Sequence, residues 1–308
     1  MLAGEYAVLH GSPALVMAVD RHAVAGTAQG SVAQTPEVTA TLDLALREGL
    51  LGRAHPEITV DTSRLAGDGG RKLGLGSSAA GCVAALALAL AREGRDVTDT
   101  LALGRMARRG HRAAQGGGSG VDVMASALGG VVGIALPDGL DGEPVVAKRD
   151  WPAELPWVVL WTGVPARTSE LLGRVEALAQ RDPAEAQRCW DGIAAATADL
   201  DAALSGADAR AAVRAVTDHA RWMDALGRAA GVGIVTEPLR RLAAVLEPLG
   251  AAVKPSGAGG GDVALAIAQD AFTLAAATAE AVRAGFTVVD LAPDAHGVRV
   301  TEGDLEHR

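Results

Sequence analysis

The sequence predicts an α+β fold built from two domains. Helical and strand-like segments follow one another without the regular βαβα alternation that a doubly wound parallel sheet requires. Four prolines and scattered charges interrupt the pattern between Pro137 and Pro156, where we place the boundary between the domains. We therefore predict an N-terminal domain over residues 1–150 and a C-terminal domain over residues 151–308.

The composition is that of a globular chain with a packed core. Of the 308 residues, 49% are hydrophobic and 21% are charged, which argues against wholesale disorder. Aromatic residues contribute only 3%, so the core must be filled by alanine, valine and leucine. The net charge of −9 argues against a nucleic-acid partner held by bulk electrostatics.

Cysteine usage and hydropathy predict a cytoplasmic protein. Cys82 and Cys189 stand in apolar or helical surroundings without metal-ligand spacing, so we expect no disulfide framework. The longest apolar run, Ala79–Ala91, is shorter than the roughly 20 residues of a bilayer span. No basic stretch leads an apolar segment and a cleavage site at the N-terminus, so we expect no secretory signal and no membrane partner.

The predicted N-terminal domain opens with strands and continues with helices. Gly4–Leu9 reads as a strand entering a turn, Ala14–Val19 and Ala23–Ala25 as apolar strands, and residues 35–65 as further strands completing the sheet. The later elements are a Gly/Ser loop at Arg71–Ser78, an alanine-rich helix ending near Gly94, a helix at about Thr98–Gln115 and a strand at Gly130–Leu136.

The predicted C-terminal domain is mostly helical. It starts with a strand at Trp157–Trp161 and contains a second apolar strand at residues 263–268, preceded by the loop Lys254–Asp262. The predicted helices lie near residues 168–182, 184–204, 207–231, 237–248 and 271–284, and two short strands finish the chain.

The first chemistry-bearing segment is the loop Lys72–Ala80. Gly74 and Gly76 allow backbone angles and close approaches that a Cβ would block. Ser77 and Ser78 stand where a helix should begin, and a helix start presents unpaired N–H groups to an anion. We therefore predict a phosphate site here, with serine hydroxyls available to Mg²⁺. A plain serine cap on a helix preceded by a glycine turn is the alternative.

The second segment is Gln115–Asp122. A carboxylate at Asp122, after a flexible glycine turn and ahead of a small-residue helix, could accept the proton of a substrate hydroxyl. A helix-capping aspartate is the alternative. Four basic residues precede the turn at helical spacing, and one or two of them could face a ligand: Arg108, Arg109, His111 and Arg112.

The third segment is Lys254–Asp262. Its three consecutive glycines make a poor structural element, so close approach to a ligand or to another loop would explain them better. Asp262 is a rival base, although its place at the start of an apolar strand suits a structural hydrogen bond. Arg167 and Thr168 follow a strand and open a helix, where they could meet an anionic group or only start the helix.

Other catalytic patterns are absent from the sequence. It contains no GxxxxGK[ST] Walker loop, no GxSxG nucleophile elbow and no HExxH zinc motif. It also lacks a GxGxxG dinucleotide motif after an early strand. Serine-nucleophile, metalloprotease and dinucleotide-binding functions are therefore disfavoured.

Three segments, in this order, resemble the motifs of the GHMP kinase superfamily. Gly4-Glu5-Tyr6 with Pro13-Ala14 resembles the first motif, Gly74–Ala80 the second and Gly257–Asp262 the third. The resemblance covers nearly the whole chain. It implies an N-terminal domain like ribosomal protein S5 domain 2, a ferredoxin-like C-terminal domain, and ATP with Mg²⁺ as cofactors.

Within the superfamily the details most resemble the phosphomevalonate kinases. Gly4–Leu9 reads GEYAVL, Lys72 stands two residues before the GLGSSAA string, and Gln115–Val123 contains GSGVDV. Trp161–Thr168 and Lys254–Asp262 also fit the pattern of these enzymes. The implied acceptor is a phosphomevalonate-like small molecule.

Mevalonate kinases usually carry a glutamate, a proposed Mg²⁺ ligand, where this chain has His111. This departure favours a phosphorylated acceptor, because a cation suits a substrate phosphate better than an acid does.

The resemblance also implies roles for individual residues. Asp122 would be the base or orienting group for the attacking oxygen. The cofactor-binding candidates are Lys72, Gly74, Leu75, Gly76, Ser77, Ser78 and Ala79, of which Ser77 and Ser78 are also the metal candidates. The substrate-binding candidates are Glu5, Tyr6, His111, Gln115, Ser119, Gly120, Arg167, Lys254, Ser256, Gly257 and Ala258.

Three hypotheses about activity follow. The first is a phosphomevalonate kinase, and the second is a mevalonate kinase or another small-molecule kinase of the superfamily. The third is a nucleotide-binding member without catalysis, motivated by a lysine that the family carries shortly before its GEY motif and that does not precede Gly4 here. We expect the natural chain to begin upstream of Met1, and the protein to be a monomer or a homodimer.

Overall fold

The computed structural model describes residues 1–301, and the described chain forms two compact units that interleave along the sequence. The first unit comprises Met1–Met17, Ala66–Leu75 and Val131–Ala292. The second unit comprises Ala18–Leu65, Gly76–Gly130 and the stretch from Pro293. The division into sequence domains at residue 150 stays a prediction.

The α+β class predicted from the sequence is confirmed, since helices and antiparallel strands mix along the chain. Short 3-10 helices lie at Ala7–His10, Ser63–Leu65, Asp68–Gly70 and Glu247–Leu249. The strands are β1 (Ala14–Met17), β2 (Val24–Thr27), β3 (Ile58–Asp61), β4 (Ala66–Gly67), β5 (Arg71–Lys72), β6 (Val131–Ala135), β7 (Val145–Arg149), β8 (Trp157–Trp161), β9 (Ala251–Pro255), β10 (Val263–Ala268) and β11 (Thr287–Val289). The α-helices are α1 (Pro36–Arg47), α2 (Ser77–Arg92), α3 (Thr100–Gln115), α4 (Val121–Leu128), α5 (Thr168–Arg181), α6 (Pro183–Ser205), α7 (Ala209–Ala230), α8 (Glu237–Leu246) and α9 (Ala271–Arg283).

The second unit packs helices α1–α4 with the antiparallel pair β2–β3. Its core is made almost entirely of small and aliphatic side chains, as the low aromatic content requires. The alanine-rich helix α2 contributes more buried residues to this core than any other helix of the unit, and it has strong intrinsic helix propensity. The predicted helix that ends near Gly94 is therefore present, and its last residue is Arg92.

Residues 35–65 were expected to form strands that complete the sheet. This prediction is wrong for the first half of the segment, which forms helix α1. Thr35 caps the helix by accepting a hydrogen bond from Val38 N (3.4 Å), and Pro36 occupies the first turn. The buried positions are Val38, Thr41, Leu42 and Ala45, which follow helical spacing. Only β3, at the end of the segment, is a strand.

The first unit contains a four-stranded antiparallel sheet of order β11-β8-β10-β9 and a three-stranded sheet of order β1-β6-β7. Every residue of β10 is buried, because helices α7 and α9 both contact this strand. The predicted strands at Trp157–Trp161 and residues 263–268 are confirmed, as are the five helices of this region.

Other local expectations for the first unit were wrong. Gly4–Leu9 is not a strand. A single bridge precedes it at Ala3, Gly4 (φ 95°) and Tyr6 (φ 63°) break the extended conformation, and a 3-10 helix begins at Ala7. Strand β9 includes Lys254, which was expected in a loop. Strand β7, which was not predicted from the sequence, lies inside the proline-rich stretch. Among the described residues, one strand rather than two follows α9, and no helix has the length and apolarity needed to cross a bilayer.

Candidate active site

The start of helix α2 carries unpaired backbone donors. Gly76 is the N-cap residue, with left-handed φ/ψ angles of 75° and 40°, and the first hydrogen bond of the helix runs from Ala80 N to Gly76 O (2.9 Å). Within residues 1–301, no protein acceptor takes the N–H groups of Ser77, Ser78 or Ala79. Because the cap is a glycine without a side-chain bond, the alternative of a serine cap is not formed. These amides can therefore bind an anion.

Asp122 lies beside this helix start, in the first turn of α4. Its Oδ1 accepts a hydrogen bond from Val123 N (3.0 Å), whereas Oδ2 accepts none from the described residues. A Cβ placed on Gly76 would lie 3.5 Å from Asp122 Cβ and 3.6 Å from Oδ2. The cap of α4 is Gly120, so Asp122 is not the capping residue. Its half-buried carboxylate thus adjoins the amides of α2 with one oxygen unused.

Ser78 is held by His111, a buried residue of α3. Ser78 Oγ and His111 Nε2 are 3.0 Å apart, while His111 Nδ1 is buried without a hydrogen-bond partner among the described residues. Helix α3 comes so close to α1 that a Cβ on Gly110 would lie 2.4 Å from Thr41 Cα. This close packing positions the predicted substrate residue His111 against the predicted metal residue Ser78. Direct contact of His111 with an acceptor stays a prediction.

Two of the four basic residues that precede the glycine turn, Arg108 and Arg112, organise this turn, which leads to Asp122. Arg108 is buried and donates from Nε to Ser119 O (2.7 Å). The Cγ atom of Arg108 lies 2.7 Å from the position that a Cβ on Gly120 would occupy. Arg112 donates from Nε to Gly118 O (2.7 Å). Arg108 therefore fixes the turn residues Ser119 and Gly120, which were predicted to contact substrate.

The remaining residues at this end of α3 face outward. Arg109 pairs with Glu48 of the loop after α1 (Nη1–Oε2 2.9 Å). Gln115 is exposed at the last position of α3, and its predicted substrate contact stays a prediction.

In the first unit, six of the predicted substrate residues come together in one network, which begins with a buried ion pair. Lys254 is fully buried and donates from Nζ to Glu5 Oε1 (2.5 Å) and to Pro255 O (2.6 Å). The same Glu5 oxygen accepts from Gly257 N (3.2 Å). Burial alone would raise the pKa of Glu5, but the charge of the adjacent Lys254 ammonium outweighs it and lowers the pKa. The Lys254 ammonium is thus engaged within the protein, and its predicted substrate contact stays a prediction.

Tyr6 and Ser256 complete the network around the loop that follows β9. Tyr6 donates from its hydroxyl to Ala258 O (2.5 Å), and Ser256 Oγ donates to Met1 O (2.9 Å). Burial, together with the Glu5 carboxylate, raises the pKa of Tyr6, so this hydroxyl keeps its proton. Ser256, Gly257 and Ala258 are consequently held by the N-terminal segment.

The glycines of the third motif approach protein backbone and leave one open position. A Cβ on Gly259 would lie 2.4 Å from Ile234 O, and a Cβ on Gly261 would lie 2.6 Å from Val164 O. Gly260 donates from its N–H to Ile234 O (2.7 Å). By contrast, apart from its own chain neighbours, no atom of the described residues lies within 4 Å of a Cβ on Gly257. Of the two explanations for this run, close approach to another loop applies to Gly259–Gly261, and Gly257 alone has space beside it.

Asp262 makes a structural hydrogen bond, which its place before β10 suggested, and its rival role as the base stays untested. Its Oδ1 accepts from Ala166 N (2.9 Å), and its Oδ2 would lie 2.5 Å from a Cβ on Gly74. Lys72 Nζ is 4.0 Å from the same oxygen, and the Lys72 side chain is 63% exposed. Asp262 thereby links the loop before β10 to the first half of the predicted phosphate loop.

Two predicted residues remain near this region. Leu75 packs against a small apolar cluster that includes Leu73 and Val263. Arg167 is exposed at the start of α5, and within residues 1–301 its guanidinium makes one ion pair, at 3.8 Å with Glu170 Oε2, so it is available to an anion.

His219 was missed by sequence analysis. It is buried on α7, its Nε2 lies 3.2 Å from Glu5 Oε2, and the same nitrogen accepts from Gly4 N (3.0 Å). A single histidine in the middle of an amphipathic helix carries no motif, and more than 200 residues separate it from its partners. No sequence signal could have identified it.

Comparisons with known proteins match two parts of the chain to one family of kinases. A model of the GHMP kinases N terminal domain matches residues 43–130, and a model of the GHMP kinases C terminal domain matches residues 209–286. A phosphomevalonate kinase of Streptomyces sp. (strain CL190) is 29% identical over 326 aligned positions, which cover 86% of this chain and 87% of that protein.

Solved structures share the fold over almost the whole chain. A Lin0012 protein from Listeria innocua has a TM-score of 0.85 at 23% identity, covering 98% of this chain and 97% of that one. The Streptococcus pneumoniae phosphomevalonate kinase in complex with phosphomevalonate and AMPPNP has a TM-score of 0.80 at 20% identity, covering 95% and 96%. Since the two family models together match more than half of the sequence, the chain belongs to the GHMP kinase superfamily and is a small-molecule kinase.

Proposed function

We propose that this kinase transfers the γ-phosphoryl group of ATP to phosphomevalonate, giving ADP and diphosphomevalonate. The observation that carries the proposal is the pairing of unused groups in the second unit. Three first-turn amides of α2 have no protein acceptor in the described chain, and the free Oδ2 of Asp122 adjoins their cap residue Gly76. Phosphoryl transfer needs this combination, because catalysis rests on positioning and charge neutralisation.

The ATP half of the proposal rests on the amides of Ser77, Ser78 and Ala79. They point outward from a helix N-terminus, where the helix dipole favours the negative phosphates. Gly76 supports this assignment in two ways. Glycine tolerates the left-handed backbone that the cap position requires, and it has no side chain that would cover the amides.

Mg²⁺ would be held mainly by the nucleotide. No cluster of three or more histidine, cysteine, aspartate or glutamate side chains that could hold a metal occurs in the described part of the chain. Mg²⁺ is commonly bound through one or two protein groups plus phosphate oxygens and water, so the Ser77 and Ser78 hydroxyls fit this ion. When bound, the ion would neutralise charge on the phosphates, while Ser78 keeps its orientation through His111.

The assignment of phosphomevalonate as the acceptor rests on the chemistry of His111 and on the names of related proteins. His111 stands where an acidic metal ligand would otherwise be expected, which disfavours mevalonate and favours an acceptor that already carries a phosphate. The Streptomyces relative is named for phosphomevalonate, and the Streptococcus structure was determined with phosphomevalonate and AMPPNP. The exposed guanidinium of Arg167 and the open Gly257 are the candidate contacts for this substrate. Asp122 would accept the proton of the attacking phosphate oxygen or orient it.

A coupled assay of ADP release tests the proposal, with phosphomevalonate, mevalonate, homoserine and galactose as acceptors. We expect turnover with phosphomevalonate alone. Turnover with mevalonate and none with its phosphate would overturn the acceptor assignment. ATP binding by calorimetry with no ADP release from any acceptor would instead indicate a member without catalysis.

The base assignment needs a pair of matched variants. We expect Asp122→Asn to keep ATP affinity and to lower kcat by roughly 10²- to 10⁴-fold, the usual contribution of a general base. Asp262→Asn is the control, since this carboxylate binds a backbone amide. A loss of kcat with Asp262→Asn but not with Asp122→Asn would refute the assignment.

A further inference from the structure

His219 occupies an unusual position for a residue outside every motif. It lies in the middle of α7, is 1% exposed, and meets the N-terminal segment through two different groups. Gly4 donates its N–H to His219 Nε2 (3.0 Å), and Glu5 Oε2 lies 3.2 Å from the same nitrogen. Glu5 Oε2 and His219 Nδ1 are both buried without a hydrogen-bond partner among the described residues.

One ring nitrogen cannot serve both neighbours. Nε2 must carry a lone pair to accept from the Gly4 amide, which is a fixed donor, so the ring proton resides on Nδ1. Burial lowers the pKa of His219, although Glu5 opposes this, and the neutral ring is consistent with Nε2 as an acceptor. His219 thus fixes the backbone at Gly4, and through it the direction of the Glu5 side chain.

From Glu5 the contacts continue to the loop Ser256–Ala258. Glu5 Oε1 accepts hydrogen bonds from both the Lys254 ammonium (2.5 Å) and the Gly257 amide (3.2 Å). The neighbouring Tyr6, held at a positive φ of 63°, donates to Ala258 O (2.5 Å). A shift of the N-terminal segment would therefore move Gly257, the open glycine of the third motif.

We infer that His219 is a positioning residue that sets the acceptor-binding loop Ser256–Ala258 by anchoring the backbone at Gly4 and directing Glu5. The inference rests on the proposed function, which assigns this loop to the acceptor. His219 itself is 1% exposed and is not among the residues that the proposed function places against ATP or the acceptor. Its loss should therefore affect acceptor binding and leave nucleotide binding at α2 unchanged.

Three substitutions at His219 separate its contacts. Leucine removes the acceptor for the Gly4 amide, and asparagine carries polar atoms that do not reach the Nε2 position. Glutamine reaches that position and can accept from Gly4 with its oxygen while donating to Glu5 Oε2 with its nitrogen. We expect His219→Leu and His219→Asn to raise the KM for phosphomevalonate about tenfold, with the KM for ATP within about twofold of wild type. His219→Gln should restore the wild-type KM.

A matched control separates positioning from general destabilisation. Leu226→Ala removes a buried side chain from the same helix without touching the polar network. We expect it to lower the melting temperature without raising the acceptor KM. An unchanged acceptor KM in His219→Leu, an equal rise in the ATP KM, or an equal effect of Leu226→Ala would each overturn the inference. If His219→Leu fails to fold, the comparison of His219→Asn with His219→Gln decides.

Hydrogen exchange gives a readout that does not depend on turnover. The Gly257 amide is bonded to Glu5, so we expect it to exchange at least tenfold faster in His219→Asn than in His219→Gln. Equal exchange in the two variants would contradict the positioning role. If the wild-type protein does not phosphorylate phosphomevalonate, the proposed function fails, and the exchange result still decides the role of His219.

Discussion

Gly74→Ala is the substitution whose cost the structure defines best. Gly74 has a φ of 73°, which costs an alanine about 1–2 kcal/mol. Its new Cβ would also lie 2.5 Å from Asp262 Oδ2 and 2.9 Å from Asp262 Cβ. Asp262 must move, and the hydrogen bond from Ala166 N would be lost at a further cost of about 1–3 kcal/mol. We therefore expect a loss of about 2–5 kcal/mol in the free energy of unfolding.

Gly76→Ala is a matched control, because its φ of 75° carries the same conformational cost. The nearest atom to its Cβ, Asp122 Cβ, is 3.5 Å away, an ordinary contact, so we expect a loss of only about 1–2 kcal/mol. Urea unfolding followed by circular dichroism measures both variants. In an Asp262→Gly background, which removes the whole Asp262 side chain including Cβ, the excess cost of Gly74→Ala over Gly76→Ala should disappear. Equal costs for the two alanines in the wild-type background would refute the reasoning.

Other predictions concern the buried ion pair and the serines. Lys254→Met leaves the Glu5 carboxylate buried without its cation, so we expect urea unfolding to show a loss of about 3–5 kcal/mol. The pKa of Glu5 is lowered in the folded state, so its stabilisation is present above the ordinary carboxyl pKa of about 4.3 and is lost as the pH falls below it. The loss of unfolding free energy on acidification should accordingly be smaller in Glu5→Gln than in the wild type. An equal dependence of the unfolding free energy on pH in the two proteins would contradict this. Ser78→Ala should raise the KM for ATP and lower stability by about 1 kcal/mol because His111 loses its partner, whereas Ser77→Ala should raise the KM alone. An equal melting temperature for the two serine variants would count against this assignment.

The sequence identified elements where one physical signal dominated. The alanine-rich helix α2 and the apolar strand β10 were predicted correctly, because propensity and burial agree along their length. Helix α1 was missed, because its apolar residues alternate locally and imitate a strand. Its start signal, Thr35-Pro36-Glu37, was present in the sequence and outweighs the alternation.

The candidate site could be predicted only in part. Glycines and serines at Gly74–Ser78 follow local rules for a helix start, so the free amides of α2 could be expected. The pairing of Lys254 with Glu5 could not, since it joins residues 249 positions apart. Close approach of Gly259–Gly261 to another loop was one of the two explanations that the sequence offered. The partners, Ile234 and Val164, could not be predicted, because they come from distant segments.

The central claim is that the amides at the start of α2 bind the phosphates of ATP. A crystal structure of the protein with AMPPNP and phosphomevalonate tests it most directly. We expect phosphate oxygens within hydrogen-bond distance of the N–H groups of Ser77, Ser78 and Ala79, with Asp122 Oδ2 facing the acceptor phosphate. Phosphates bound elsewhere, with these amides open to solvent, would contradict the account.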